Sequence, residues 1–126
     1  MSIVLDASAL LAFLQDEPGA WAVEEVLEQS LMSTVNWSEV VQKTQSGGGD
    51  VQGMETDFVG VGLELVPFST RQAALVADLW SHTRNQGLSL GVRACLALGL
   101  QQGAPVMTAD RAWKALDLGL TIRTLR

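Results

Sequence analysis

Short apolar runs alternate along this chain with segments whose apolar residues recur at helical spacing. Alternation of strands with helices is typical of α/β proteins, whose strands form a mainly parallel sheet. We therefore expect an α/β three-layer sandwich, with a mainly parallel central sheet flanked by helices, formed by a single domain of residues 1–126. The predicted strands are residues 3–5, 31–34, 63–68, 105–108 and 120–125.

The segments between the strands predict helices of different character. Residues 91–103 are almost wholly apolar, which predicts a buried central helix that ends at Gly103. Residues 70–85 have an amphipathic pattern, and Pro18 favours the start of another helix because proline is tolerated in a first turn. The glycine-rich stretch 46–53 predicts a loop, and no Lys-Ser or Lys-Thr pair follows it to form a phosphate loop. The other predicted helices are residues 8–15, 36–45, 54–62 and 111–116.

Composition limits the class of protein. Of the 126 residues, 48% are apolar, which is enough for a real core, and no apolar run is long enough to span a bilayer. Cys95 is the only cysteine, so no intramolecular disulfide is possible, and residues 1–10 lack the basic region of a signal peptide. We therefore expect a cytoplasmic protein with no membrane association. The net charge of -6 argues against a broad positive surface for nucleic acid, although cations that bridge carboxylates to phosphate would still permit a nuclease.

Three carboxylates fall at strand-to-helix junctions or near a helix start. Asp6 ends the first strand, Glu39 is expected in the first turn of the helix 36–45, and Asp110 follows the strand 105–108. Functional groups gather at the carboxyl ends of the strands in open α/β sheets. Carboxylates that meet there repel one another, and a divalent cation such as Mg²⁺ or Mn²⁺ relieves the repulsion.

Each of these acids also has a purely structural explanation. Asp6 and Asp110 each precede a predicted helix, where an aspartate can cap the free N–H groups of the first turn. Asn36 and Glu39 have the spacing of a capping box. Capping explains the residue types but does not require the three acids to converge, so both interpretations stay open at the level of spacing.

Four segments surround the three acids and a position before the central helix: DASAL at residues 6–10, VNWSEV at 35–40, LSLGVRACLA at 88–97 and TADRAW at 108–113. They resemble the motifs of the PIN domain family, and specifically those of ribonucleases of the VapC toxin type. The third and fourth segments are the specific ones, and the order and separation of the four fit along essentially the whole chain.

The resemblance implies a metal-dependent endoribonuclease that belongs to a VapBC toxin–antitoxin pair. Asp6, Glu39 and Asp110 would bind Mg²⁺ or Mn²⁺, with Ser8 or Thr108 as hydrogen-bond donors behind them. A metal-activated water would cleave an RNA substrate, and a VapB-like antitoxin would block the site. The resemblance also implies a homodimer.

Val92 departs from the family pattern. The third motif has an aspartate after its glycine, whereas this chain has valine after Gly91. Valine cannot bind a cation, so a site of four carboxylates falls to three. Either Val92 inactivates the chain, or the chain is a natural variant that retains weak metal binding through the other three acids.

Two other functional classes fit parts of the sequence. A catalytically silent subunit could hold the antitoxin and assist autoregulation of its promoter without cleaving RNA. A receiver domain phosphorylated on Asp6 is disfavoured, because the neighbouring acidic pair and the late lysine that it needs do not stand where they should.

Further residues carry weaker signals. Arg93 and Arg111 each lie next to a motif position, where a guanidinium could contact substrate phosphate. The alternative is that they pair with neighbouring acids or are solvated. His82 is expected at a helix end or on the surface, and Cys95 in the core. The tryptophans stand at helical positions that predict core packing, with a partner-binding face as the alternative for Trp21.

Overall fold

Five parallel strands form the centre of the molecule in a computed structural model that describes all 126 residues. The strand order is β3-β2-β1-β4-β5, and every neighbouring pair is parallel. All carboxyl ends therefore meet at one edge of the sheet. The strands are β1 (Ile3–Leu5), β2 (Ser30–Ser33), β3 (Glu64–Val66), β4 (Val106–Thr108) and β5 (Ile122–Thr124).

Six α-helices cover the two faces of this sheet, which confirms the predicted α/β sandwich. Side chains alternate along β1: Ile3 and Leu5 belong to one apolar cluster and Val4 to the other. This alternation follows from the two-residue period of a strand. The helices are α1 (Ala7–Leu14), α2 (Ala20–Val26), α3 (Thr34–Ser46), α4 (Met54–Gly60), α5 (Thr70–Thr83) and α6 (Leu90–Gln102).

Helix α6 is the buried central helix that the apolar run predicts. Its residues from Ala94 to Leu98 are fully buried, and the helix ends at Gly103, which has a φ of 61°. Cys95 lies within this buried stretch, and burial raises the pKa of its thiol well above the ordinary value. No helix of the fold, α6 included, combines the length and the apolar character needed to cross a membrane.

The second helix begins at Ala20, so the prediction that Pro18 opens it is wrong. Gly19 precedes the helix with a φ of 94°, a backbone conformation that residues other than glycine rarely adopt. A Cβ atom at Gly19 would lie 2.6 Å from the Cβ of Leu125. The close approach of Leu125, which follows β5, therefore also leaves no room for a side chain at the position before the helix.

Three further predictions need correction. Helix α3 begins at Thr34 under a Ser33 cap, so Glu39 lies in its second turn and the capping-box explanation of Asn36 and Glu39 is wrong. The segment Arg111–Ala115 is a 3-10 helix and not an α-helix. Core packing holds for Trp37 and Trp113 but is wrong for Trp21 and Trp80, which are exposed.

Candidate metal centre

A cavity of about 230 Å³ opens at the carboxyl edge of the sheet, and all three predicted carboxylates line it. Asp6 follows β1, Glu39 projects from α3 and Asp110 follows β4. The parallel sheet brings these separate elements to one place, although Asp6 and Asp110 are more than a hundred residues apart. The other lining residues are Ala7, Ser8, Asn36, Lys43, Ser89, Val92 and Trp113.

Asp6 is the most constrained of the three acids, with only 6% of its surface exposed. Its Oδ1 accepts a hydrogen bond from the Ala9 N–H at 2.8 Å, so it caps α1 as its position suggested. Its Oδ2 accepts a hydrogen bond from the Thr108 hydroxyl at 2.6 Å. The Ser8 hydroxyl lies 2.8 and 2.9 Å from the two carboxylate oxygens. Helix capping and participation in the pocket are thus combined in one side chain.

The two hydroxyls beside Asp6 also position the backbone that follows β4. Ser8 Oγ accepts a hydrogen bond from the Ala109 N–H at 3.0 Å, and Thr108 Oγ1 accepts one from the Asp110 N–H at 3.0 Å. The ends of β1 and β4 are therefore joined through a single carboxylate. Ser8 and Thr108 stand where the sequence predicted donors behind the acids.

Burial raises the pKa of Asp6 above its ordinary value of 3.8. The hydrogen bonds from Thr108, Ala9 and Ser8 act in the opposite direction, and the negative charge of Glu39 raises the pKa further. The charged form of Asp6 is consequently disfavoured in the metal-free protein. A cation in the pocket would reverse this preference.

Glu39 is held against the beginning of α6 by Asn36, a residue that the sequence analysis treated only as a possible cap. The Asn36 Nδ2 donates to Glu39 Oε1 at 3.0 Å and to the Gly91 carbonyl at 2.9 Å. Because both partners are acceptors, the orientation of the amide is settled. Asn36 Oδ1 is buried and has no hydrogen-bond partner, which leaves one further oxygen donor beside the pocket.

Gly91 leaves the space that the Glu39 carboxylate occupies. A Cβ atom at Gly91 would lie 2.7 Å from both Oε1 and Oε2 of Glu39. Such a distance is far below van der Waals contact, so a side chain at this position would displace the carboxylate. The glycine of the third motif therefore has a physical function in the pocket.

Asp110 and Val92 also line the cavity. Asp110 is exposed and caps the following 3-10 helix, since its Oδ1 accepts from the Ala112 N–H at 2.9 Å. Its Oδ2 accepts no hydrogen bond from the chain. Val92 is half-buried, packs at the margin of the apolar cluster around α6 and lines the cavity where the motif has its aspartate.

The structure places both predicted phosphate contacts outside this cavity. Arg93 donates to the Val76 carbonyl at 2.9 Å and to the Leu88 carbonyl at 3.4 Å, so its guanidinium ties α6 to α5. Arg111 donates to the Arg126 carbonyl at 2.7 Å. The cationic side chain that does line the cavity is Lys43, which the sequence analysis missed although it stands one helical turn after Glu39.

The donors around the cavity fit a hard divalent cation in chemical type. They are carboxylate and amide oxygens, with no sulfur or imidazole among them, and Mg²⁺ and Mn²⁺ prefer oxygen ligands. As the side chains stand, no three acidic, histidine or cysteine groups lie close enough together to hold a metal ion. To hold a cation, the side chains would have to draw in around it.

Comparisons with known proteins agree with the motifs and the fold. A family model for the PIN domain matches residues 3–118. A toxin–antitoxin complex from Klebsiella pneumoniae contains a chain with a TM-score of 0.77 and 18% identity, and the match covers 98% of each chain. A chain of DNA-bound VapBC from Salmonella typhimurium has a TM-score of 0.77 and 12% identity, with 100% of this chain and 99% of that chain covered. A chain of FitAcB from Neisseria gonorrhoeae has a TM-score of 0.71 and 19% identity, with 98% of this chain and 97% of that chain covered. No curated protein matches the chain significantly.

Replacing Gly91 with alanine separates the geometry of the pocket from the stability of the fold. The new Cβ would push aside the flexible end of Glu39, so the free energy of unfolding should change by less than about 1 kcal/mol. The Mn²⁺ affinity measured by calorimetry should fall by about tenfold. Gly60→Ala is the matched control, because nothing lies within 4 Å of its added Cβ. An unchanged Mn²⁺ affinity in Gly91→Ala would show that Glu39 is not a ligand.

The raised pKa of Asp6 predicts a stability difference that depends on pH. Below its ordinary pKa of 3.8 the carboxyl is protonated in both folded and unfolded chains, and burial of the charge costs nothing. As the pH rises through the folded-state pKa, the folded carboxyl must ionise against its environment and stability is lost. Asp6→Asn removes this loss, so its stability relative to the parent should increase with pH in EDTA.

Urea unfolding between about pH 4 and pH 8 measures this difference. Asp117→Asn is the control, because Asp117 is exposed and lies outside the pocket. Added Mn²⁺ should stabilise the parent at the upper end of this range and leave Asp6→Asn less affected. A stability difference between Asp6→Asn and parent that stays constant with pH would contradict the assignment.

Proposed function

Because the chain belongs to the PIN domain family, we propose that it is the toxin subunit of a VapBC-type toxin–antitoxin pair. Its family activity is divalent-cation-dependent cleavage of RNA, and Val92 impairs that activity in this chain. The observation that carries the proposal is the convergence of Asp6, Glu39 and Asp110 on one cavity. These three acids stand at three of the four acidic positions of the family pattern.

Each acid has a distinct part in this proposal. Asp6 is a rigid, desolvated ligand, because its hydroxyl and N–H partners hold both of its oxygens. Glu39 is a ligand whose direction depends on Asn36 and Gly91. Asp110 has a free oxygen facing solvent, which can bind the cation or accept a proton from water. The Mg²⁺ or Mn²⁺ ion, when bound, would lower the pKa of a water and stabilise charge on the phosphate.

Val92 weakens this site by the loss of one charged oxygen ligand. A valine side chain offers only methyl groups, and its place at the cavity wall brings them towards the ion instead of a carboxylate. The cap of α6 is nevertheless intact, because Ser89 Oγ accepts a hydrogen bond from the Val92 N–H at 3.2 Å. We therefore infer a local defect in metal binding and not a defect in folding.

A second candidate function is that of a catalytically silent subunit that holds a VapB-like antitoxin. An apolar cleft of about 270 Å³ lies between α1 and α4, and none of its lining residues belongs to the acidic cavity. Loss of a metal ligand need not disturb such a surface. The solved structures that resemble this chain include toxin–antitoxin complexes and a DNA-bound VapBC, which favours an antitoxin partner and a role in autoregulation. The RNA substrate, the homodimer and the cytoplasmic location stay predictions.

Restoring the acid at position 92 tests the main proposal. Val92→Asp should bind Mn²⁺ at least about tenfold more tightly than the parent and cleave a mixed pool of structured RNA. EDTA should abolish the cleavage. In the metal-free state Val92→Asp should be less stable than the parent, because it adds a like charge to the pocket. Val92→Asn is the matched control, since the asparagine side chain has nearly the same shape as that of aspartate but carries no charge.

Three results would contradict parts of the proposal. Equal cation-dependent cleavage by the parent and by Val92→Asp would mean that three carboxylates suffice and that Val92 does not impair the chain. Equal cleavage by Val92→Asn and Val92→Asp would remove the charge as the cause. Thermal melts in which Mn²⁺ adds no more stability to Val92→Asp than to the parent would reject the metal site.

A further inference from the structure

Lys43 is the one cationic side chain that lines the acidic cavity. It stands on α3 four residues after Glu39 and seven after Asn36, so the three residues share one face of the helix. The three carboxylates that line the same cavity are its electrostatic neighbours. The simplest explanation for an ammonium group in this setting is that it neutralises one of the carboxylates.

The structure does not pair Lys43 with any of these acids. The ion pairs of the chain are His82 with Asp78 and Arg126 with Glu17, so no carboxylate oxygen lies within 4.0 Å of the Lys43 ammonium. The Lys43 ammonium donates no hydrogen bond to the chain, and the residue is exposed to solvent. Three N–H donors are therefore free at the mouth of the cavity.

The two arginines that stand beside motif positions are already engaged by backbone carbonyls. Arg93 bonds to the carbonyls of Val76 and Leu88, and Arg111 bonds to the carbonyl of Arg126. With a net charge of -6 and three acids in the cavity, a phosphate that approaches the metal-free cavity meets net repulsion. Lys43 is the group in the cavity wall that can offset this repulsion directly.

We propose that Lys43 forms a phosphate-binding subsite at the rim of the cavity and contacts a phosphate of single-stranded RNA. This inference rests on the proposed ribonuclease function. The carboxylates would face the cation inside the cavity, while the ammonium faces the polyanion at its mouth. Lys43 is thus a substrate-binding residue, and it is not required for metal binding.

The salt dependence of RNA binding tests this inference. Lys43→Gln and Lys114→Gln remove the only two lysines of the chain one at a time, and Lys114 is exposed and outside the cavity. Fluorescence anisotropy of a labelled single-stranded RNA in Mg²⁺ gives the binding constant at several KCl concentrations. Loss of one phosphate contact should make the slope of log K against log salt shallower by about 0.7. We expect that change in Lys43→Gln only, and Lys43→Arg should retain the parental slope.

Calorimetry with Mn²⁺ alone distinguishes this role from a structural one. Removing a positive charge next to the cavity should leave the Mn²⁺ affinity of Lys43→Gln equal to that of the parent or higher. Equal slopes for the parent and both glutamine variants would overturn the phosphate subsite while the ribonuclease proposal stands. A lower Mn²⁺ affinity in Lys43→Gln would overturn the phosphate subsite in favour of a structural role for Lys43. A parent that binds Mn²⁺ but no RNA would reject the proposed ribonuclease function, and this subsite with it.

Discussion

The buried carboxylate of Asp6 is the interaction on which the rest of the candidate site depends. It accepts hydrogen bonds from α1, from Ser8 and from Thr108, and so joins the ends of two neighbouring strands. The same two hydroxyls accept hydrogen bonds from the N–H groups of Ala109 and Asp110, and these bonds position the backbone of Asp110, the third acid. The cost of this arrangement is a buried negative charge, expressed as a raised pKa. A divalent cation bound by Asp6 would neutralise this charge, and the relief of its unfavourable burial would contribute to the free energy of binding.

The parallel sheet explains why acids so distant in sequence share one cavity, and the cavity explains why Val92 is tolerated by the fold. Crowded carboxylates destabilise a metal-free protein, so under the proposed function a valine among them would relieve repulsion while it removes a ligand. Its side chain lies beside the apolar cluster around α6, and its N–H still bonds to the Ser89 cap. Under the proposed function, metal affinity and metal-free stability would therefore change in opposite directions at this one position.

The sequence predicted the order of strands and helices, the buried α6 and the three acids of the cavity, because each depends on local spacing and on the rule that strand ends face one edge. Other features depend on contacts between distant residues. Leu125 leaves no room for a side chain at Gly19, just before α2, and Arg93 is held by the Val76 carbonyl. Neither partner can be identified from local pattern. The helical spacing between Glu39 and Lys43 could have predicted that the two share one face of α3, but only the folded structure shows that no acid pairs with Lys43.

An anomalous diffraction map from crystals of this chain soaked in Mn²⁺ would show directly whether the cavity binds a cation. We expect a single anomalous peak inside the cavity, bound by oxygens of Asp6 and Glu39 at about 2.1 Å, with Asp110 in direct or water-mediated contact. Binding at that place would establish a cation site despite the valine at position 92. Full Mn²⁺ occupancy elsewhere on the molecule, with the cavity holding only water, would contradict it.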